Sequence, residues 1–309
     1  FSYCERLLIM KIFRLLQIIL ITSFSLPAFA ETDSACLRSS GDIIVALNSN
    51  IVTDDNGNLG ASCKEAPDFY RIKFYKFALC KSNPLLNSTN DFSSCSYLVD
   101  SSAGVSHVIT YPSTALLATN SVLTPGTYNF LLLVLDNSLQ QKHTETFTRT
   151  MTGATGTGKT CWTLEKSTAY GGNTITGITT VSPDPDTRSS LAMECGGTSS
   201  ADPKYTTEIF ETMGCDGGPP CFENKDIDGG VYVRLLTTDN ITNATSVNNS
   251  KRIAVAMPMV RTVKATSSYE IGFKVNGSSS IDLHYDSGAT KLTAMKIGAD
   301  PFQVSFAVK

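Results

Sequence analysis

Residues 153–160 read GATGTGKT and match the phosphate-binding loop pattern G-x-x-x-x-G-K-[ST] at every fixed position. In a nucleotide-hydrolysing enzyme, the backbone N–H groups of such a loop hold the phosphates. Lys159 would reach the β- and γ-phosphates, and Thr160 would bind Mg²⁺. This chemistry requires a buried parallel strand that leads into the loop and a helix that begins at the Lys-Thr pair.

The residues around this loop predict strands on both sides of it. Threonine occupies every second position from Thr144 to Thr152, so these side chains would share one solvated face of a strand, with Phe147 and Met151 on the other. Residues 161–166 alternate in character, and the glycines at 171–172 would stop a helix within about three turns. We therefore interpret residues 153–160 as a Gly/Thr linker or hairpin loop and expect no nucleotide cofactor.

Histidines offer little further chemistry. The chain has only His107, His143 and His284, and none has a second histidine at metal-binding spacing. We predict that each is a surface or core-edge residue of a strand. A catalytic triad or a glycosidase pair of carboxylates, assembled from distant positions, stays open.

Two acidic turns have some of the features of a calcium-binding loop. Asp54, Asn56, Asn58 and Glu65 match positions 1, 3, 5 and 12 of an EF-hand loop, but Leu59 replaces the glycine at position 6. Residues 226–229 form the second acidic turn. We predict that both are turns, and the sequence assigns no catalytic, cofactor-binding or metal-binding residue.

The amino-terminal residues have the pattern of a secretory signal peptide. Met10 is followed by Lys11 and Arg14, by an apolar run at residues 15–24, and by Ala-Phe-Ala at residues 28–30. The apolar run is shorter than the roughly 20 residues that span a bilayer. We predict that residues 1–30, an untranslated leader plus signal peptide, are absent from the mature protein, which is periplasmic, at the cell surface or extracellular.

Charge and cysteine content agree with this compartment. Residues 1–30 hold three basic residues and one acidic residue, so the remainder has 22 basic and 27 acidic side chains, a net charge of about −5. Without clustered cations, nucleic acid is not an expected partner. Of the nine cysteines, Cys4 lies in residues 1–30, which leaves eight. An even number of cysteines in a secreted chain predicts disulfides, and although eight cysteines permit 105 connectivities, pairing in sequence order is the simplest arrangement. The pairs would be Cys36–Cys63, Cys80–Cys95, Cys161–Cys195 and Cys215–Cys221.

The segment LTPGTYNFLLLVLD at residues 123–136 predicts a turn at Pro125-Gly126 and then a strand that is apolar on both faces at residues 130–135. It resembles the L-x-x-G-x-Y segments of secreted immunoglobulin-like and prealbumin-like β-sandwich domains, which implies a fold class and no activity. Further strands are predicted at residues 41–47 and at residues 69–77, where basic residues alternate with apolar ones and leave one face in water. Strands are also predicted at residues 162–164, 174–181, 205–210, 231–236, 253–263, 269–275, 281–285 and 302–308, and residues 113–119 are a candidate short helix.

These patterns predict an all-β protein with two β-sandwich-like domains, residues 31–152 and 161–309, each carrying disulfides. The favoured function is a non-enzymatic exported surface protein, structural or adhesive, whose partners are other copies or surface proteins. An extracellular carbohydrate-binding module or carbohydrate-active enzyme, with glycans as the partner, is the alternative.

Overall fold

The computed structural model describes residues 24–25, 38–39, 42–43, 51–53, 59–111, 115–116, 122–170, 173–178, 193–213, 220–227, 230–285, 292–299 and 302–309. Within these residues the chain is all-β, as predicted, and its only helix is a 3-10 turn at Thr198–Ser200. Most of the predicted signal peptide lies outside them; Phe24 and Ser25 pair with Val304 and Gln303.

Two predictions are wrong: residues 174–178, the described part of the predicted strand at 174–181, contain a turn and no strand, and Ala115–Leu116, within the candidate helix at 113–119, is a strand. Strands follow one another through the described residues, and each strand predicted after residue 200 is present to within about two residues. In chain order they are β1 (Phe24–Ser25), β2 (Arg38–Ser39), β3 (Asp42–Ile43), β4 (Ile51–Thr53), β5 (Leu59–Glu65), β6 (Phe69–Cys80), β7 (Cys95–Thr110), β8 (Ala115–Leu116), β9 (Gly126–Asp136), β10 (Ser138–Lys142), β11 (Thr144–Thr152), β12 (Thr157–Thr163), β13 (Ser167–Ala169), β14 (Met193–Gly196), β15 (Thr206–Ile209), β16 (Glu223–Ile227), β17 (Val231–Leu236), β18 (Arg252–Val263), β19 (Tyr269–Lys274), β20 (Ser279–Tyr285), β21 (Leu292–Ala299) and β22 (Gln303–Val308).

The largest sheet is organised around β6. Strand β7 pairs with one edge of β6, while β9 and β10, consecutive in the chain, pair with different parts of its other edge. Beyond β9 the sheet continues through β18, β17 and β16, and beyond β10 through β15 and β13. The sheet therefore divides where β9 ends and β10 begins.

Asn137 lies between β9 and β10, at the position where the sheet divides. Its buried side-chain amide donates hydrogen bonds to the carbonyl oxygens of Phe210 at 3.1 Å and Ser250 at 3.0 Å. Its own carbonyl accepts from the N–H of Phe210 at 2.8 Å. Because buried amides must be hydrogen-bonded, these contacts make the change of strand partner possible without unpaired polar groups.

Strand β9 is buried on both faces, as its sequence predicts. Leu131, Leu133 and Leu135 belong to one apolar core, and Leu132 and Val134 belong to a second core on the opposite face. Full burial of each such side chain contributes roughly 1.5–3 kcal/mol. The centre of the sheet is thus the middle layer of the protein.

A second sheet, in the order β1-β22-β19-β8, packs on the first core. Aromatic rings of β6 contact rings of this second sheet. The ring centroid of Phe74 lies 5.0 Å from that of Phe273 on β19, and the centroid of Tyr70 lies 5.7 Å from that of Phe302, just before β22. The remaining strands form a β11-β12-β14 sheet, a β2-β3 pair and a β21-β20-β5-β4 sheet.

Strand pairing crosses the predicted domain boundary at residues 153–160. Strand β9 pairs with β18 along most of its length, from Gly126 opposite Val263 to Asp136 opposite Arg252. Strand β5 likewise pairs with β20. The division into domains at 31–152 and 161–309 stays a prediction, and this pairing does not support it.

Candidate functional site

The glycine-rich segment forms a β-hairpin. Strands β11 and β12 are antiparallel, with Thr152 opposite Thr157, and residues 153–156 connect them. Lys159 and Thr160 lie within β12, where a phosphate-binding loop would start a helix. On β11, Phe147 and Met151 are buried while Thr146 is exposed, as the alternation predicts.

The backbone N–H groups of this hairpin loop bind a carboxylate of the same chain. Glu194, at the start of β14, accepts hydrogen bonds from the N–H of Gly156 at 2.7 Å, the N–H of Thr155 at 3.0 Å and the N–H of Cys195 at 2.9 Å. The hydroxyl of Thr155 also donates to it. Desolvation alone would raise the pKa of Glu194, but the hydrogen bonds from Thr155, Cys195 and Gly156 outweigh it and hold the pKa below its usual value.

The glycines of the motif are explained by the close approach of β14. A Cβ atom on Gly153 would lie 2.2 Å from the backbone nitrogen of Cys195, and one on Gly158 would lie 2.1 Å from the carbonyl oxygen of Gly196. Glycine therefore permits backbone contact between strands at these positions. No sequence pattern points to Glu194, which lies 38 residues after Gly156 in the chain.

A second cluster places a buried imidazole between two carboxylates. His143 Nδ1 lies 3.9 Å from Asp68, and His143 Nε2 lies 3.4 Å from Glu145. Within the described residues, neither imidazole nitrogen has a hydrogen-bond partner. Glu145 is 6% exposed, so only Asp68 reaches solvent. The carboxylates lie on opposite edges of one ring, whereas a glycosidase needs both of its carboxylates facing one sugar bond.

The other histidines do not join this cluster. His107 lies on β7, with its ring centroid 5.9 Å from that of Phe273, and burial lowers the pKa of its imidazole. His284 lies on β20. His107 thus lies half-buried on a strand, whereas His143 is buried between β10 and β11.

The acidic turns show no cation-binding geometry within the residues described. Asp54, Asn56 and Asn58 lie outside these residues, while Glu65 ends β5 and accepts a hydrogen bond from the N–H of Ala66 at 2.9 Å. Residues 226–227 belong to β16, and residues 228–229 are not described. Across the described part of the chain, no three His, Cys, Asp or Glu side chains are grouped to hold a metal.

Two disulfides link neighbouring strands. Cys80–Cys95 joins β6 to β7, and Cys161–Cys195 joins β12 to β14, each between residues that are directly opposite in the strand register. Cys221 is also disulfide-bonded. Of the other predicted cysteines, Cys63 lies on β5, and Cys36 and Cys215 lie outside the described residues.

Strand β7 forms an edge of the largest sheet and carries exposed apolar side chains. Among the described residues β7 pairs only with β6, and its side chains Val105 and Val108 are 43% and 44% exposed. Phe69 and Tyr111 add exposed aromatic surface next to them. No charged residue and no proline interrupts residues 101–110.

Comparison with known protein families, curated proteins and solved structures found no match. In the described part of the chain, no helix has the length and apolar character needed to cross a membrane.

Proposed function

We propose that this chain is an exported, non-enzymatic surface protein with a structural or adhesive role, which contacts other copies of itself or other surface proteins through β7. The observation that carries the proposal is the exposed edge at residues 105–110. An edge strand presents a row of backbone N–H and C=O groups, which can pair with a strand of another chain.

Two features of β7 define where pairing would occur. Lysine and proline, the usual protection of an edge strand, are absent from residues 101–110. Residues 101–104 bulge away from β6, because Val105 pairs with Phe74 whereas Asp100 pairs with Lys76. Gly104 adopts φ +75 in this bulge. The regular segment at residues 105–110 is therefore the proposed contact.

Export is supported by the disulfides, which persist in oxidising compartments, and by the signal-peptide pattern at residues 1–30. The immunoglobulin-like resemblance gains support from Tyr128. Its buried hydroxyl donates to the carbonyl of Thr124 at 2.7 Å. This is the geometry of a tyrosine corner, which occurs in immunoglobulin-like sandwiches.

The alternative is an extracellular carbohydrate-binding module. Tyr205, which lies beside two cationic side chains, favours it. A carbohydrate-active enzyme is less well supported, since Asp68 and Glu145 are separated by the ring of His143.

Sedimentation velocity over a range of protein concentrations tests the proposal. We expect the unmodified protein to self-associate, and Val108→Lys to abolish association because it places a charge in the proposed contact. Val260→Lys is the matched control, since Val260 is also an exposed valine but lies on β18. A protein that stays monomeric throughout, or equal association of the two variants, would overturn the proposal.

A further inference from the structure

The outer face of β6 and β10 carries a cluster of cations. Tyr70, Ile72 and Phe74 point into the core, so the alternate residues Arg71 and Lys73 project from the opposite face. On the neighbouring strand, Gln140 lies opposite Arg71, and Lys142, two residues on, shares its face. We call Arg71, Lys73, Lys142 and the adjacent Tyr205 the basic face.

The aromatic ring of Tyr205 contacts two of these cations. The guanidinium carbon of Arg71 lies 3.8 Å from the centroid of the Tyr205 ring, and Lys142 Nζ lies 4.7 Å from the same centroid. Both distances are within the range of a cation–π interaction. Arg71 Nε also donates to Gln140 Oε1 at 2.6 Å. The positions of Arg71 and Lys142 are therefore fixed before any ligand binds, which lowers the entropic cost of binding.

The positive charge of this face is not neutralised by the described residues. Arg71, Lys73 and Lys142 form no ion pair with a carboxylate in that part of the chain. Asp68, just before β6, and Asp136, at the end of β9, bind other groups. Asp136 is bound by Arg252 and by the hydroxyl of Tyr75, and Asp68 accepts the N–H of Thr144 at 2.9 Å.

We propose that the basic face binds an acidic polysaccharide through its carboxylate or sulfate groups. Alternate residues on a strand lie roughly 7 Å apart and neighbouring strands about 5 Å apart. The cations thus form a short row on a flat surface, which can contact successive anionic groups of an extended chain. Guanidinium groups bind such oxyanions with two parallel hydrogen bonds. Gln140 and Thr207, which already bond each other at 3.1 Å, place neutral polar groups beside the row for sugar hydroxyls.

A polysaccharide fits this face better than a nucleic acid does. Nucleic-acid affinity comes largely from many phosphate contacts, and the chain without residues 1–30 has 22 basic against 27 acidic residues. A few fixed cations on a protein of net negative charge suit a polymer with widely spaced anionic groups. This binding goes beyond self-association. The basic face adjoins β7, because Arg71 lies opposite Val108 and Lys73 opposite Ser106, but none of its four residues belongs to residues 105–110.

The test is isothermal titration with polygalacturonate, which is carboxylated, heparin, which is sulfated, and dextran, which is neutral. We expect binding to at least one acidic polymer, weakened by added salt, and none to dextran. Lys142→Gln and Arg71→Gln should each weaken binding roughly tenfold, as expected for a lost charge-assisted hydrogen bond. Lys264→Gln, at an exposed lysine outside the basic face, should leave it unchanged.

Lys73→Gln provides a further variant should Arg71→Gln fail to fold, because Lys73 makes no side-chain hydrogen bond within the described residues. The proposal is overturned if neither acidic polymer binds, if dextran binds equally well, or if the basic-face variants bind like Lys264→Gln. Tighter binding of single-stranded DNA than of either acidic polymer would also overturn it. Self-association of the protein, measured separately, bears only on the β7 contact.

Discussion

The carboxylate of Glu194 accepts a hydrogen bond from the backbone N–H of Gly156 at 2.7 Å, within the loop whose sequence matches a phosphate-binding motif. The loop N–H groups do bind an anion, but the anion belongs to the protein itself. Since Thr157–Thr163 is a strand, no helix dipole follows the Lys-Thr pair. The motif therefore serves the contact between the hairpin and β14.

Glu194→Gln should destabilise the protein by about 1 kcal/mol at neutral pH, a modest value because this carboxylate is partly exposed to solvent. Its pKa is lower in the folded state. The stabilisation is thus fully present above the unfolded-state pKa, about 4.3, and is lost as the pH falls through the lower folded-state pKa. Urea unfolding between pH 7 and pH 3 measures this. The exposed Glu165→Gln is the control, and equal pH dependence in both variants would contradict the assignment.

Gly158→Ala should destabilise the protein by about 1–3 kcal/mol, because its Cβ would lie 2.1 Å from the carbonyl oxygen of Gly196 and the strands would have to separate. Gly197→Ala should have little effect, since the nearest atom to its Cβ is 4.0 Å away. Thermal unfolding of the two variants provides the comparison. A similar melting temperature for both variants would show that the backbones of β14 and the hairpin are not in close contact at Gly158.

Tyr128→Phe should cost about 1–2 kcal/mol, because the carbonyl of Thr124 would lose its hydrogen bond from a buried hydroxyl. Tyr111→Phe is a suitable control, since Tyr111 is 46% exposed. Chemical unfolding gives both values. An unchanged free energy of unfolding for Tyr128→Phe would remove the support for a tyrosine corner.

Replacing both cysteines of a disulfide by alanine should destabilise the protein by about 3 kcal/mol for Cys80–Cys95 and somewhat more for Cys161–Cys195. The order follows from the sequence separations, 15 and 34 residues, because the longer loop restricts the unfolded chain more. Unfolding of the two double variants in urea tests it. The reverse order would mean that strain or unfolded-state structure outweighs loop entropy.

Local sequence patterns predicted most of the later strands, although residues 174–178, predicted as part of a strand, contain a turn. The continuous apolar run of β9 predicts burial of both faces, and the threonine alternation of β11 predicts burial of one face. The structure has β9 buried on both faces, and Phe147 and Met151 of β11 buried. The hairpin could be predicted because strand patterns flank the motif. Such patterns contain no information on distant partners, so the pairing of β9 with β18 and the approach of Glu194 to Gly156 could not be foreseen.

The basic face was missed for the same reason. Arg71 and Lys73 were recognised only as the polar side of an alternating strand, and Lys142 and Tyr205 are far from them in sequence. The register of β10 against β6, together with that of β15 against β10, brings these side chains together.

The pairing of β5 with β20 affects the order in which the protein can fold during synthesis. Cys63 lies opposite Ile281, so more than two hundred residues must be synthesised before this sheet can close. Proteins dominated by such distant contacts fold slowly, since a large loop must be ordered before the contacts compensate for it. One edge of β5 can pair early with β4, but its other edge lacks a partner until the ribosome has completed β20.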